Sequence, residues 1–598
     1  MKKLKPLLFP VILVFLVFAV YVNSLNNGFV SDDIPGVVLT GASWTWRSVF
    51  TDIRFLTRWT GILQFFLYQL VGLSPWAYRL VNIICHALSV VLVYKIVFQL
   101  SSRSKHLSFY ASNPLFLAFF SASLFAVHPI IVESVTWISG GVYVHYGMLF
   151  LLSFWLYIRN RGQRTEDRGR KFDRFFPLSA FCLPLSYFIF TLSLFFSEKA
   201  AVLFLFFFLY EWCYGNLKKS WRTLMPYFIV SCIFMLFYIT QLNSRIASVS
   251  QVSGGGEGGM YNPLIQLPIA LFSYFYLIVW PKDLTLYHSE IAFSMINYII
   301  RLLVFFGYSA GIIVTAIKNR KLCFWLVWFL IPLLPTLTPF KIAWLVAERY
   351  AYLSVIGIFV CIAYGFEAVF QYAGPATIVS RKRPHGRGNA VEFLFSRMAI
   401  GYKSSTLLTV VRYCGRLRDA LVRVTRFLRN FFTLPARLDI SFFSVVIFFI
   451  VLIAFSLRTI IRNRDWQNED TLWIATAKTS PSIPYTWNNM GDVYSRHGDY
   501  KKAAEMFQRA IVLNPQYADA YHNLAETKRD MGEIGDAILM YEKAIVLNPK
   551  LWQSHQALAG IYVYKKEYQK ALYHIEEALK IVPENQMLQK VRMQLRKE

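Results

Sequence analysis

Long apolar runs alternate with short polar or basic segments along the first three quarters of the chain. The runs that predict membrane crossings begin near Leu7, Ala77, Ser112, Val142, Phe176, Ala200, Leu224, Tyr298, Cys323, Tyr350 and Ser441. A helical crossing needs about 20 consecutive apolar residues, and these starts predict eleven crossings. Two shorter runs, 60–72 and 264–280, read as re-entrant or interfacial helices. The opening "MKKLK" followed by an apolar run resembles a signal peptide. The run is long enough to span and shows no small-residue cleavage site, so an uncleaved first helix is expected.

Beyond position 461 the pattern changes. Pro481, Pro515, Pro549 and Pro583 recur every 34 residues, as do Trp487, Tyr521 and His555, and the alanine sets Ala503, Ala537, Ala571 and Ala510, Ala544, Ala578. The small residues let two helices approach closely. Each proline ends a helix, because it lacks an N–H and clashes with the preceding turn. "WNNMGDVY" fits the W-x2-L-G-x2-Y opening of a tetratricopeptide repeat, with Met490 for Leu. The expected fold is therefore all-α. A polytopic membrane domain over 1–461, interrupted by a loop over 373–440, precedes an α-solenoid of about three repeats plus a capping helix over 462–598. Such stacks present a concave groove, here expected to take a protein partner.

Composition agrees with the membrane reading: 56% of residues are hydrophobic and mean hydropathy is +0.42, against roughly 45–50% apolar in soluble domains. A net charge of +28 would suit nucleic acid, but its placement argues otherwise. Arg462–Glu598 carries 19 Lys and Arg against 17 Asp and Glu, so almost all the excess lies earlier. It collects in loops between apolar runs, with 13 basic residues against two acids in 381–437. That distribution is the cytoplasmic excess of a membrane protein. Eleven crossings then put the first loop and the repeats on the opposite, outer side. The seven cysteines show no paired spacing, so neither a disulfide framework nor a zinc site is expected. The glycine-rich "SGGGEGGMYN" lacks the Lys-Ser/Thr and strand–helix setting of a phosphate loop and reads as an outer loop.

Almost every distinctive polar residue near a membrane end falls on that outer side: Asp32 and Asp33, then His128 and Glu133, then Glu198 and Lys199, and finally Glu348 and Arg349. Each has an ordinary reading as a helix cap, an interfacial histidine or a self-neutralising pair. Together they suit one chemistry. A sugar carried on a lipid phosphate has its tail in the bilayer and its head group at the surface. Moving that sugar to a hydroxyl needs a carboxylate as general base and positive charge for the departing phosphate. Asp32 or Asp33 suits the base, Arg349 and Lys199 the phosphate, and His128 and Glu133 the surrounding contacts.

"GFVSDD", "HPIIVESV", "WPKDLTLYHSE" and "AERYAYL", in that order and followed by the repeats, resemble the transmembrane and tetratricopeptide repeat-containing O-mannosyltransferases and their bacterial relatives, of the GT-C superfamily. The resemblance implies a catalytic acid at Asp32 or Asp33, site roles for His128, Glu133, Arg349 and Tyr350, and a polyprenyl-phosphate-linked sugar, often mannose, as donor with inversion at the anomeric carbon. Ser197-Glu198-Lys199 stands where relatives read Ser-Lys-Glu, and Ser354 where many have proline. The short repeat array favours a bacterial inner-membrane protein with periplasmic repeats, acting on protein Ser or Thr. No cofactor is expected; some GT-C enzymes use a divalent ion, and no metal site is expected here. A non-enzymatic membrane scaffold is the alternative, although one crossing would serve as an anchor. A transporter fits less well, because transporters place polar groups near the midplane.

Overall fold

In the computed structural model, residues 5–39, 45–47, 59–102, 114–166, 178–240, 263–286, 288, 294–337, 345–373 and 442–597 are described. Among them there are helices, turns and no strands. The loop 381–437 and the glycine-rich 253–262 lie outside the described residues. Helix α1 (Lys5–Tyr21) leads through a 3-10 turn to Asn26 and the acidic loop. Then come α2 (Trp59–Val71), α3 (Pro75–Ser102), α4 (Pro114–Val127), the short α5 (Val132–Thr136), α6 (Val142–Glu166) and α7 (Leu178–Phe196). These are followed by α8 (Leu205–Cys213), α9 (Leu217–Ile239), α10 (Pro263–Val279), α11 (Met295–Lys318), α12 (Arg320–Leu330), α13 (Val355–Ala373) and α14 (Phe442–Asp465).

Among the described residues six helical stretches are long and apolar enough to cross a membrane: Leu8–Asn26, Pro75–Ser102, Ser139–Arg161, Leu217–Ile239, Met295–Lys318 and Val446–Asp465. The pair Pro114–Val127 and Pro129–Thr136, bent by 55°, makes a seventh if counted as one broken span. The expected number of eleven is therefore not confirmed. The run from Ala200 divides into a 3-10 stretch, Glu198–Phe204, and the nine-residue α8. The run from Cys323 divides into the 11-residue α12 and a 3-10 stretch, Ile331–Thr336, that contains Pro332 and Pro335. Proline removes the N–H that would continue the α-helical ladder there. Conversely, the run 264–280 is a helix of 17 residues, as long as α1, and packs along α11. None of the residues in α11 is fully buried; one side packs on α10 and α12, where the Tyr308 hydroxyl donates to the Leu326 carbonyl at 2.6 Å, and the rest is open.

The core is aromatic. Trp328 sits 4.3 Å from the Phe206 ring and packs with Phe154, Phe324 and Trp325. This core does not stop at the membrane helices. Trp466, Leu472, Trp473, Ile483 and Val493, from the turn after α14 and the two helices that follow, are buried in the same cluster. Helix α14 itself runs unbroken through 461–462, and the turn comes at 466–468.

The repeats begin after α15 (Glu469–Thr479). Three antiparallel pairs follow: α16 (Pro484–Arg496) with α17 (Tyr500–Leu513), α18 (Ala518–Asp530) with α19 (Ile534–Leu547), and α20 (Trp552–Tyr564) with α21 (Tyr568–Ile581). The capping helix α22 (Gln586–Leu595) closes the stack. Ala503, Ala510, Ala537, Ala544, Ala571 and Ala578 are fully buried, which is the close approach the period predicts. A Cβ on Gly491 would lie 2.7 Å from the Phe507 ring. The turn within each pair takes a left-handed residue at one position per repeat: Gly498 (φ +77°), Gly532 (φ +83°) and Lys566 (φ 61°).

Candidate active site

Local sequence folds the acidic loop tightly. Ser31 adopts φ 53°, an unusual value for a residue with a Cβ. Its N–H donates to the Glu469 carboxylate of α15, and Glu469 also accepts from Trp473 Nε1 at 2.7 Å. Gly28 N–H donates to the Gln467 carbonyl at 2.8 Å. From the other side, the buried Arg79 of α3 donates to the carbonyls of Asn27, Gly28 and Thr136. Asn463 of α14 donates to the Val20 carbonyl at 2.8 Å and to Asn23 Oδ1 at 2.7 Å, and accepts from Thr136 Oγ1 at 2.8 Å. The loop is thus held by helices that lie far away in sequence.

The two aspartates face different surroundings. Asp33 is fully buried. Its Oδ1 accepts from the N–H of Ser139 at 2.8 Å and from its hydroxyl at 2.6 Å, and its Oδ2 accepts from Val30 N–H at 3.2 Å. Burial raises its pKa to about 6, against the pull of the Ser139 and Val30 hydrogen bonds and the charge of Arg79. Asp33 therefore ties the acidic loop to the turn before α6. Asp32 is exposed. Its carboxylate makes no hydrogen bond among the described residues. Neighbouring protein still desolvates it and raises its pKa, while Arg349 pulls the other way.

The turn that presents Ser139 depends on glycine. A Cβ on Gly140 would lie 2.4 Å from the Glu133 carbonyl oxygen, and one on Gly141 would lie 2.2 Å from Asn82 Oδ1. Asn82 in turn donates to the carbonyls of Val135 and Trp137, both at 3.3 Å.

Glu133 and Arg349 form a buried pair. One Glu133 oxygen accepts from Arg349 Nη1 and the other from Arg349 N–H at 2.8 Å. The guanidinium lies 5.5 Å from the Trp137 ring and 5.2 Å from Tyr350. Burial opposes the charge of Arg349, but Glu133, Tyr350 and Tyr143 outweigh it and raise the pKa well above the ordinary value. Lys199 follows Ser197, whose hydroxyl caps the 3-10 stretch. Its amine donates to the Tyr143 hydroxyl and lies 3.9 Å from the centre of the Tyr350 ring. Tyr350 thereby bridges the two cations.

A cavity of about 310 Å³ lies beside this cluster. Its lining includes Gly36, Gln64, Asn82, Ser139, His145, Glu198 and Lys199. Of the residues singled out in sequence, Glu198 and Lys199 line this cavity; Tyr350 links Lys199 to Arg349 and its partner Glu133, and Asp32 lies within the electrostatic reach of Arg349. His128 and Glu348 serve elsewhere. His128 is buried, with Nε2 2.8 Å from the Ile278 carbonyl and Nδ1 accepting from Ile130 N–H at 3.2 Å. Nδ1 holds the kink between α4 and α5, and Nε2 ties that kink to α10. Glu348 accepts from Arg462 at 3.2 Å and lies 3.6 Å from His288, joining the 348–351 turn to α14. Among the described residues no group of three His, Cys, Asp or Glu side chains is placed to hold a metal.

Sequence reasoning missed Arg79, Asn463, Ser139 and His145. Arg79 carried a signal, a lone charge inside an apolar run. Asn463 and Ser139 carried none, because their partners are not local.

Residues 484–517 and 506–538 each match a tetratricopeptide-repeat model. Over 208 residues the chain is 33% identical to human Protein O-mannosyl-transferase TMTC1, which covers 31% of this chain and 21% of that protein. Over 172 residues it is 26% identical to Protein O-mannosyl-transferase Tmtc2 of Drosophila melanogaster, 26% of this chain and 17% of that protein. The chain thus spans about a fifth of the length of the curated relatives it matches. Among solved structures, ArnT from Cupriavidus metallidurans bound to undecaprenyl phosphate aligns with 86% of this chain and 80% of its own, at 13% identity and a TM-score of 0.30. MamA aligns with 23% of this chain and 73% of its own, at 23% identity and a TM-score of 0.18. The chain is TMTC-like in sequence, a helical membrane domain that carries tetratricopeptide repeats at its C-terminal end.

Proposed function

We propose that this chain is a membrane glycosyltransferase that moves a hexose from a polyprenyl-phosphate carrier to a hydroxyl, with protein Ser or Thr as the acceptor class. The observation that carries the reading is the division of labour within the acidic pair. Asp33 is consumed by Ser139 and Val30, whereas Asp32 is exposed and under the influence of Arg349. The similarity to proteins named O-mannosyl-transferases supports sugar transfer as the chemistry.

In this mechanism Asp32 accepts the proton of the acceptor hydroxyl. The freed oxygen attacks the anomeric carbon, and the bond from that carbon to the phosphate oxygen breaks with its electron pair on the phosphate. Attack opposite the leaving group inverts the anomeric centre. Lys199 and the guanidinium of Arg349 offset the charge that develops on the phosphate. Glu133 fixes Arg349 through Nη1 and the backbone N–H. A preorganised cation of this kind stabilises the transition state without reorienting during reaction. The repeats hold the protein acceptor, and the site faces the periplasm of a bacterial inner membrane.

The test is sugar transfer by the purified full chain, supplied with polyprenyl-phosphate mannose, glucose or galactose and periplasmic protein. Asp32→Asn is expected to lower transfer by at least about a hundredfold, the scale of general-base catalysis, without loss of fold. Asp33→Asn is expected to lower it less and to change thermal stability. Wild-type protein that neither binds nor uses any of the three donors would overturn the reading.

A further inference from the structure

His145 lies in the first turn of α6 and is 7% exposed. It lines the cavity of about 310 Å³ together with Gln64, Glu198 and Lys199. Among the described residues neither ring nitrogen has a hydrogen-bond partner, although buried polar side chains nearly always have one. The edge of Phe196, 5.7 Å away, is its aromatic neighbour. His128 makes the contrast: it is also buried, and both its nitrogens are engaged by backbone groups. A histidine needed only for packing would be finished in the same way, or replaced by an apolar ring.

We propose that His145 hydrogen-bonds hydroxyl groups of the donor's sugar inside this cavity and so helps to select the sugar, an inference that rests on the glycosyltransferase reading above. The chemistry matches. An uncharged imidazole offers one N–H donor and one acceptor nitrogen. A sugar hydroxyl both donates and accepts, so adjacent hydroxyls on one ring satisfy both nitrogens. The size matches too. Ligand cavities run from roughly 300 to 1,000 Å³, and a cavity at the lower limit suits a single sugar unit. Charge is already supplied at the same cavity by Lys199, which serves the phosphate. His145 is thereby a specificity-determining residue, and no proton transfer is assigned to it.

The experiment compares two probes on the purified full chain in detergent: undecaprenyl-phosphate hexose (mannose, glucose and galactose in turn) and undecaprenyl phosphate without sugar. His145→Phe is expected to weaken the preferred sugar-bearing probe about tenfold, the loss of one or two hydrogen bonds. Binding of the bare lipid phosphate should stay within about twofold of wild type. His145→Gln keeps a donor and an acceptor and is expected to recover part of the loss. His145→Ala repeats the comparison should the phenyl ring not be accommodated. Equal loss for both probes, or loss for neither, overturns the inference while leaving the glycosyltransferase reading intact. Wild-type protein that binds no hexose-bearing probe overturns both.

Discussion

The repeat stack and the Asp32 end of the membrane domain are built from contacts of different reach. In the stack, side chains meet across one repeat: Asn523 donates to Asn488 at 3.0 Å, 35 positions away, and His522 lies 2.9 Å from Ser554, 32 positions away. At the candidate site the partners range from 3 positions apart, Asp33 with Val30, to hundreds. Arg349 meets Glu133 across 216 positions, Thr136 meets Asn463 across 327, and Asn463 meets Asn23 across 440. A stack whose units touch only their neighbours distributes its stability along the chain. The site concentrates its stability in a few buried polar links that have no substitute. Periodic structure tolerates local change; convergent structure does not.

The largest expected effect breaks the comparison at its most convergent point. Glu133→Ala leaves the Arg349 guanidinium buried without its carboxylate. Removing one partner of a buried pair costs about 3–5 kcal/mol. A fall of that order in the stability of the detergent-purified protein, together with loss of sugar transfer, is expected. Alanine at a buried repeat contact such as Leu558 (0% exposed) is expected to cost about 2–5 kcal/mol as a cavity but to leave donor binding unchanged. Donor binding by both variants at the wild-type level would remove Glu133 from the site.

A smaller effect is pH-dependent. The carboxyl of Asp33 is raised from 3.8 to about 6 in the folded chain. A raised carboxyl pKa means the folded state holds the proton more tightly than the unfolded state. The contribution of Asp33 is therefore fully present below about pH 4 and is lost as pH rises towards 6. Asp33→Asn has no such proton. The stability of wild type relative to this variant is expected to fall by on the order of 2–3 kcal/mol between pH 4 and pH 7. Unfolding midpoints measured for both proteins across that range would show it. A constant difference would mean that Ser139, Val30 and Arg79 fully offset the burial.

The smallest effect sharpens the periodic side. Lys566 holds the left-handed position that glycine holds at 498 and 532. A residue with a Cβ pays roughly 1 kcal/mol or more there, partly offset by glycine's greater freedom in the unfolded chain. Lys566→Gly is expected to stabilise the stack by up to about 1 kcal/mol, read as a shift in its denaturant midpoint. Destabilisation would show that this turn is not equivalent to the other two.

Legibility followed the same divide. The 34-residue period named the repeat helices and their contacts, because one face of each helix recurs at a fixed interval. At the site, the sequence offered the residue types. "SDD" announced two carboxylates but could not separate an Asp33 spent on Ser139 from an Asp32 left open. "HPIIVE" offered His128 and Glu133 as equals, yet one holds a kink and the other holds Arg349. His145 read as one residue of an apolar run until α6, Phe196 and the cavity were placed together. The apolar runs suggested eleven spans, but prolines and 3-10 turns divided some of them.

By itself, the sequence determined that this chain is a polytopic helical membrane protein ending in tetratricopeptide repeats. Hydrophobic length and period are summed over many residues, and no single contact can overturn them. Only the tertiary structure decided which polar groups are left for chemistry. A carboxylate, an imidazole or a guanidinium is defined by what satisfies it, and here the partners of Asp33, His128 and Arg349 arrive from other helices. Burial and hydrogen bonding consumed Asp33 and His128, paired Arg349, and among the described residues left Asp32 and His145 without a hydrogen-bond partner.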